Sequence, residues 1–151
     1  MNDRGLRGSR VRGLPVKAVA PRAFKNRGQP RRGAAPGLPR GMLRRIHRYL
    51  LACFRNESPP RVSELARELG MPLSKFVETF HRATGMAPSV YLKERQIAAA
   101  KLLLLRTEIP VDKVGYTVAF GTRRTFFREF RKHTGMSPAR YRERRRIVPR
   151  S

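Results

Sequence analysis

Acidic residues, histidine and cysteine are all scarce in this chain. Ten Asp+Glu stand against 35 Lys+Arg, a formal net charge of +25. Such an excess of one sign excludes indifference to polyanions, with nucleic acid the first counterpart and an anionic membrane surface the second. Arg outnumbers Lys 28 to 7, which favours nucleic acid, because guanidinium grips phosphate and guanine edges bidentately. The single cysteine, Cys53, excludes an internal disulfide and any multi-cysteine zinc site. The histidines His47, His81 and His133 are dispersed and lack metal-ligand spacing. The longest apolar run, Ile97 to Leu105, is interrupted by Lys101 and falls far short of a membrane span. No charged n-region followed by an apolar stretch opens the chain, so no secretory leader is expected. Neither a Gly-rich phosphate loop after a strand nor a nucleophile elbow is present. Cys53 lies on an apolar helical stripe, the setting of a buried structural thiol. A DNA-modifying role with Cys53 as acceptor would require that thiol exposed and activated. No catalytic residue, metal or cofactor is therefore expected.

Composition shifts near residue 41. Residues 1–41 hold seven of the 12 Gly, five of the 12 Pro, 11 basic residues and one acid, Asp3. Low hydrophobicity and high charge leave nothing to offset the entropy of ordering, so residues 1–41 are expected to be a disordered basic tail. A solubilising leader and a basic arm on nucleic acid are both open readings of it. A transit peptide fits less well, because Gly and Pro spoil an amphipathic helix. Residues 42–146 form the expected globular part, and 147–151 a disordered end.

From Met42 onward apolar residues recur at helical spacing. Leu43, Ile46, Tyr49, Leu50, Cys53 and Phe54 define a first helix, ended by Asn56 to Pro60. Val62 to Leu69 gives a second, closed by Gly70, and Phe76, Val77 and Phe80 mark a third that stops at Thr84-Gly85. A fourth runs from Pro88 to about Arg106, with proline in its first turn. Asp112–Val118, Thr122–His133 and Pro138 to about Arg146 complete an all-α chain of seven helices without strand alternation.

An internal repeat organises these helices. Phe80, Thr84, Gly85, Met86, Pro88 and Tyr91 recur 50 residues later as Phe130, Thr134, Gly135, Met136, Pro138 and Tyr141, and Phe76 recurs as Phe126. Upstream the offset is 49, pairing Val62, Leu65 and Leu69 with Val111, Val114 and Val118. One extra residue therefore lies in the turn of the second copy. Short helix, tight turn and second short helix is the layout of a helix-turn-helix, whose second helix enters the major groove.

Burying Phe126 and Phe130 leaves Arg123, Arg124, Thr125, Phe127, Arg128 and Arg131 facing outward. Arg128 is the leading base reader, able to hold guanine O6 and N7 together. Arg124 and Thr125 follow, while Arg131 and Lys132, near the helix end, suit phosphate. The first unit is less basic. Burying Phe76 and Phe80 turns Ser74, Lys75, Val77, Glu78, His81 and Arg82 outward. Glu78 either accepts from cytosine N4 or pairs with Arg82 four residues on. Lys75 and His81 are candidates for backbone or base contact. The helix start at Pro138 and the run Arg144, Arg145, Arg146 are further candidates for phosphate. Thr84-Gly85-Met86 and Thr134-Gly135-Met136 read as helix ends, with Tyr91 and Tyr141 bracing each unit from within.

On these residues the chain resembles a known family. The stretch Pro110–Arg142 is similar to the second helix-turn-helix and closing signature of AraC/XylS-type transcription regulators, with Pro110, Phe120, Phe126, Phe130, Gly135, Pro138 and Tyr141 in the family's positions. Ser63–Leu92 resembles the first helix-turn-helix of that domain. The resemblance covers about residues 42–146. It implies a seven-helix domain with two helix-turn-helix subdomains joined by a long linker helix, here Pro88 to about Arg106. It also implies that two recognition helices enter adjacent major-groove segments of double-stranded DNA. Carried over by position, the base-contacting sites fall on Ser74, Val77 and Glu78 and on Arg124, Thr125 and Arg128. The backbone-contact candidates are Lys75, His81, Arg82, Arg123, Arg131, Lys132 and Arg144. Departures are Glu78, where Arg is common; Val77, at an often polar position; Pro72, in place of a frequent N-cap Ser; Gln96, where Arg is frequent; and Ala119, where Gly is frequent. Most members attach a sensor domain, and residues 1–41 cannot bury an effector pocket. The expected protein is either a stand-alone DNA-binding regulator or a piece of a larger one, in a bacterial cytoplasm on the nucleoid. RNA polymerase is a further candidate partner. The rival from another class is a charge-driven, nonspecific DNA- or RNA-binding protein.

Overall fold

The computed structural model describes residues 37–146, and side chains as far as Arg144. The disorder expected for the tail and the C-terminal end falls on residues 1–36 and 147–151, outside the described residues, as do the side chains of Arg145 and Arg146. The helices are α1 (Arg40–Arg55), α2 (Val62–Glu68), α3 (Leu73–Thr84), α4 (Pro88–Arg106), α5 (Val111–Thr117), α6 (Arg123–Thr134) and α7 (Pro138–Arg146). No strand occurs among the described residues. Every helix expected from spacing is present, with ends moved by a few residues at most. The largest correction is at the start. The helix α1 begins at Arg40, inside the segment expected to be tail, and Leu38 already packs on the core.

The apolar periodicity of each unit becomes a core of its own. Ile46 and Leu50 from α1, Leu65, Ala66 and Leu69 from the first unit, and Phe76 and Phe80 from α3 bury together with Tyr91 and Leu92. The second core gathers Ile97 to Leu104 of α4 with Val114, Val118, Phe120, Phe126 and Phe130. The linker helix α4 thus gives its first half to one core and its second half to the other. Each fully buried Phe contributes roughly 1.5–3 kcal/mol through removal of apolar surface from water. The four fully buried Phe rings of the repeat are accordingly the main anchors of the two units.

The repeat holds at atomic detail. Phe76, Phe80 and Tyr91 form an edge-to-face chain with centroids 5.7 and 5.3 Å apart, and Phe126, Phe130 and Tyr141 repeat it at 5.6 and 5.3 Å. Thr84 donates its hydroxyl to the Phe80 carbonyl, and Thr134 does the same to Phe130. Gly85 and Gly135 end α3 and α6 at φ 75° and 76°, a conformation that favours glycine. The two turns differ as the changed offset requires. Gly70 takes φ 68° in the first, whereas Ala119 takes φ 61° and Gly121 φ 78° in the second. The buried Gln96 of α4 ties this second turn down, donating through Nε2 to the carbonyls of Val118 and Ala119 at 3.0 Å each.

Candidate nucleic-acid interface

Helix α6 starts firmly. Thr122 is its N-cap and accepts from the Thr125 backbone amide at 3.1 Å, satisfying one of the orphan donors of the first turn. The Thr122 hydroxyl also donates to the Thr125 hydroxyl at 2.9 Å, so the half-buried Thr125 is engaged in the cap. With Phe126 and Phe130 buried, Arg124, Arg128, Arg131 and Lys132 are all exposed on the outward side. Arg123 is exposed too, but its Nε lies 2.6 Å from Asp112 Oδ1 and its guanidinium sits 4.3 Å from the centre of the Phe127 ring. Phe127, expected to face outward, is half-buried and packs on the second core beneath that guanidinium.

Glu129 is the lone acid of the basic helix α6. It is buried, ringed by Lys93 Nζ at 3.4 Å, Arg128 Nε at 3.6 Å and His133 Nε2 at 3.8 Å. A carboxylate so placed needs its cations, and Lys93 fastens the linker helix to α6.

Helix α3 lacks such a start. Pro72 stands at its N-cap and supplies no side-chain bond. Phe76, Phe80 and Ala83 face the core, and Ser74, Lys75, Val77, Glu78, His81 and Arg82 are exposed. Glu78 is ion-paired with Arg82 along the helix, the local alternative among its two sequence readings. Leu73 and Val77, one turn apart, are exposed large apolar side chains at 48% and 37%. Leu73 was not singled out by sequence reasoning, although its place at i−4 from Val77 marked it.

Elsewhere Arg144 is exposed on α7. The basic stripe of α1 was also missed. Arg40, Arg44, Arg48 and Arg55 are all exposed, and their spacing of 4, 4 and 7 residues places them on one helical face. Cys53 is buried, and burial pushes its thiol above the ordinary range, away from the activated thiolate an acceptor needs. Among the described residues no cluster of His, Cys, Asp and Glu could hold a metal ion, and no helix is long and apolar enough to cross a membrane.

The helix-turn-helix domain family matches residues 65–144, from α2 to α7. The transcriptional regulator ExsA of Pseudomonas aeruginosa is 30% identical over 83 residues, 55% of this chain and 30% of that protein. The arabinose operon regulatory protein of Escherichia coli is 31% identical over 81 residues, 54% of this chain and 28% of that protein. The chain belongs to the AraC/XylS family of helix-turn-helix transcription regulators. It spans about 30% of the length of the curated relatives it matches. The AraC-type architecture extends to solved structures. The DNA-binding domain of AdpA, crystallised with a target DNA, has a TM-score of 0.60 at 26% identity, covering 68% of this chain and 93% of that one. An AraC-type regulator from Chromobacterium violaceum shares the fold at a TM-score of 0.59 and 21% identity, covering 74% of this chain and all of that one.

Proposed function

We propose that this AraC-type domain is a sequence-specific regulator that inserts α3 and α6 into adjacent major-groove segments on one face of double-stranded DNA. The observation that carries the reading is the duplicated recognition helix, buried through the same two Phe positions in each unit and turned outward through Arg124 and Arg128 in the second. Arg128 reads a base edge, with Arg124 and Thr125 beside it; Ser74, Val77 and Glu78 are their counterparts in the first unit. Lys75, His81, Arg82, Arg123, Arg131, Lys132 and Arg144 supply phosphate contacts that fix register. Arg123 does so from a guanidinium already oriented by Asp112 and Phe127. AdpA, similar in fold and 26% identical, was crystallised on its target DNA, which supports the same class of ligand here. The reading places the protein in a bacterial cytoplasm, with RNA polymerase as a candidate protein partner.

The rival is charge-driven binding without sequence preference, favoured by the net charge of +25 and by the carboxylate of Glu78 on α3. Selection of the purified chain against random duplex DNA at roughly physiological salt separates the two. The expected outcome is one enriched motif in two parts, centred about one helical turn apart. Binding that fades as salt rises, with no enriched sequence, would replace the specific reading by the rival.

A further inference from the structure

The two recognition helices differ in character at a pair of positions one turn apart. In α6 the pair is Arg123 and Phe127, and the arginine, held by Asp112, lies over the ring. In α3 the same positions hold Leu73 and Val77, both exposed and without a cover. The neighbouring Glu78 pairs with Arg82 along the helix, so the two exposed apolar side chains carry no charge of their own beside it. The first unit therefore presents an apolar patch at the start of its recognition helix, bordered by Ser74 and Lys75, in a chain of net charge +25. Its natural ligand must be anionic overall yet offer apolar groups to that patch. In duplex DNA only the thymine C5-methyl does so in the major groove, the groove a recognition helix enters with its N-terminal residues.

We propose that Leu73 and Val77 select thymine through its methyl group, so that the half-site under α3 is read by apolar contact while the half-site under α6 is read by arginine. This rests on the specific-regulator reading above. It accounts for Val77 at an often polar position and for a first unit less basic than the second. Burying one methyl corresponds to about a fourfold change in affinity.

The test uses the full chain and the duplex it selects from the random pool. Each thymine of the α3 half-site is replaced by deoxyuridine, which removes the methyl and leaves every hydrogen-bonding group in place. Wild type should lose about fourfold in affinity at one or two of these positions. The L73A/V77A double variant, which alters only exposed side chains, should bind the thymine and deoxyuridine duplexes equally. Its helical signal and melting temperature should match wild type. An α3 half-site without thymine, no effect of deoxyuridine on wild type, or the same loss in the double variant would each overturn the proposal while leaving the specific regulator intact. Absence of any selected motif would overturn both.

Discussion

Arg128 is exposed, and its Nε sits 3.6 Å from Glu129, outside hydrogen-bond range. Its donors are therefore oriented by a buried negative charge but not consumed by it. Arg123, by contrast, has already committed its Nε to Asp112 at 2.6 Å. That difference separates two arginines which the sequence places five residues apart on one helix. Arg128→Ala should cost about 1–3 kcal/mol of binding on the selected duplex and relax the preference at one base position. Parallel titrations of duplexes varied at each position would check this. An equal loss on every sequence would make Arg128 a phosphate contact instead.

The second unit packs α5 closely against α6. Gly115 lies on α5 directly against the Phe126 ring: a Cβ added there would stand 2.6 Å from Phe126 Cδ1 and 2.8 Å from Cγ. The ring is fully buried and packs between Phe120 and Phe130, so it has no open side to retreat to. Gly115→Ala is expected to destabilise the domain by about 1–3 kcal/mol, the usual cost of overpacking a core, with a lower denaturation midpoint. The first unit carries Ala66 at the matching place, 49 residues earlier, and buries it without difficulty. This asymmetry marks the limit of what the sequence discloses. Helical spacing and the repeat of Phe, Thr-Gly-Met, Pro and Tyr reveal seven helices and two units, because they encode burial periodicity and chain reversal. They also show which faces of α3 and α6 turn outward, apart from Thr125 and Phe127, which are half-buried. They do not show that Asp112 holds Arg123, that Lys93 reaches Glu129, or that Gln96 caps the second turn. Each of these joins residues from different elements, and tertiary distance leaves no local pattern. Glu129 is the clearest case. A charged residue on a basic helix reads as solvated until the packing of α4 against α6 encloses it.

Across the whole molecule part of the charge is separable from the fold. Both cores are built from residues between Leu38 and Tyr141. Residues 1–36 nevertheless carry ten of the 35 basic residues and one of the ten acids. A truncation for testing them must stop at residue 36, because cutting at 40 would remove Leu38 from the first core and Arg40 from the start of α1. Deleting residues 1–36 should leave the helical signal and melting temperature unchanged. Counterion release sets the salt dependence of DNA binding by about 0.9 per phosphate neutralised, so the slope of log K against log salt should become shallower by that amount for each lost contact. The sequence preference should survive, since the proposed base readers all lie on α3 and α6. A fall in helicity would show that residues 1–36 support the core, and an unchanged slope would show that they do not touch the DNA. A shallower slope with the selected motif lost would assign part of the base reading to them, in place of α3 and α6 alone.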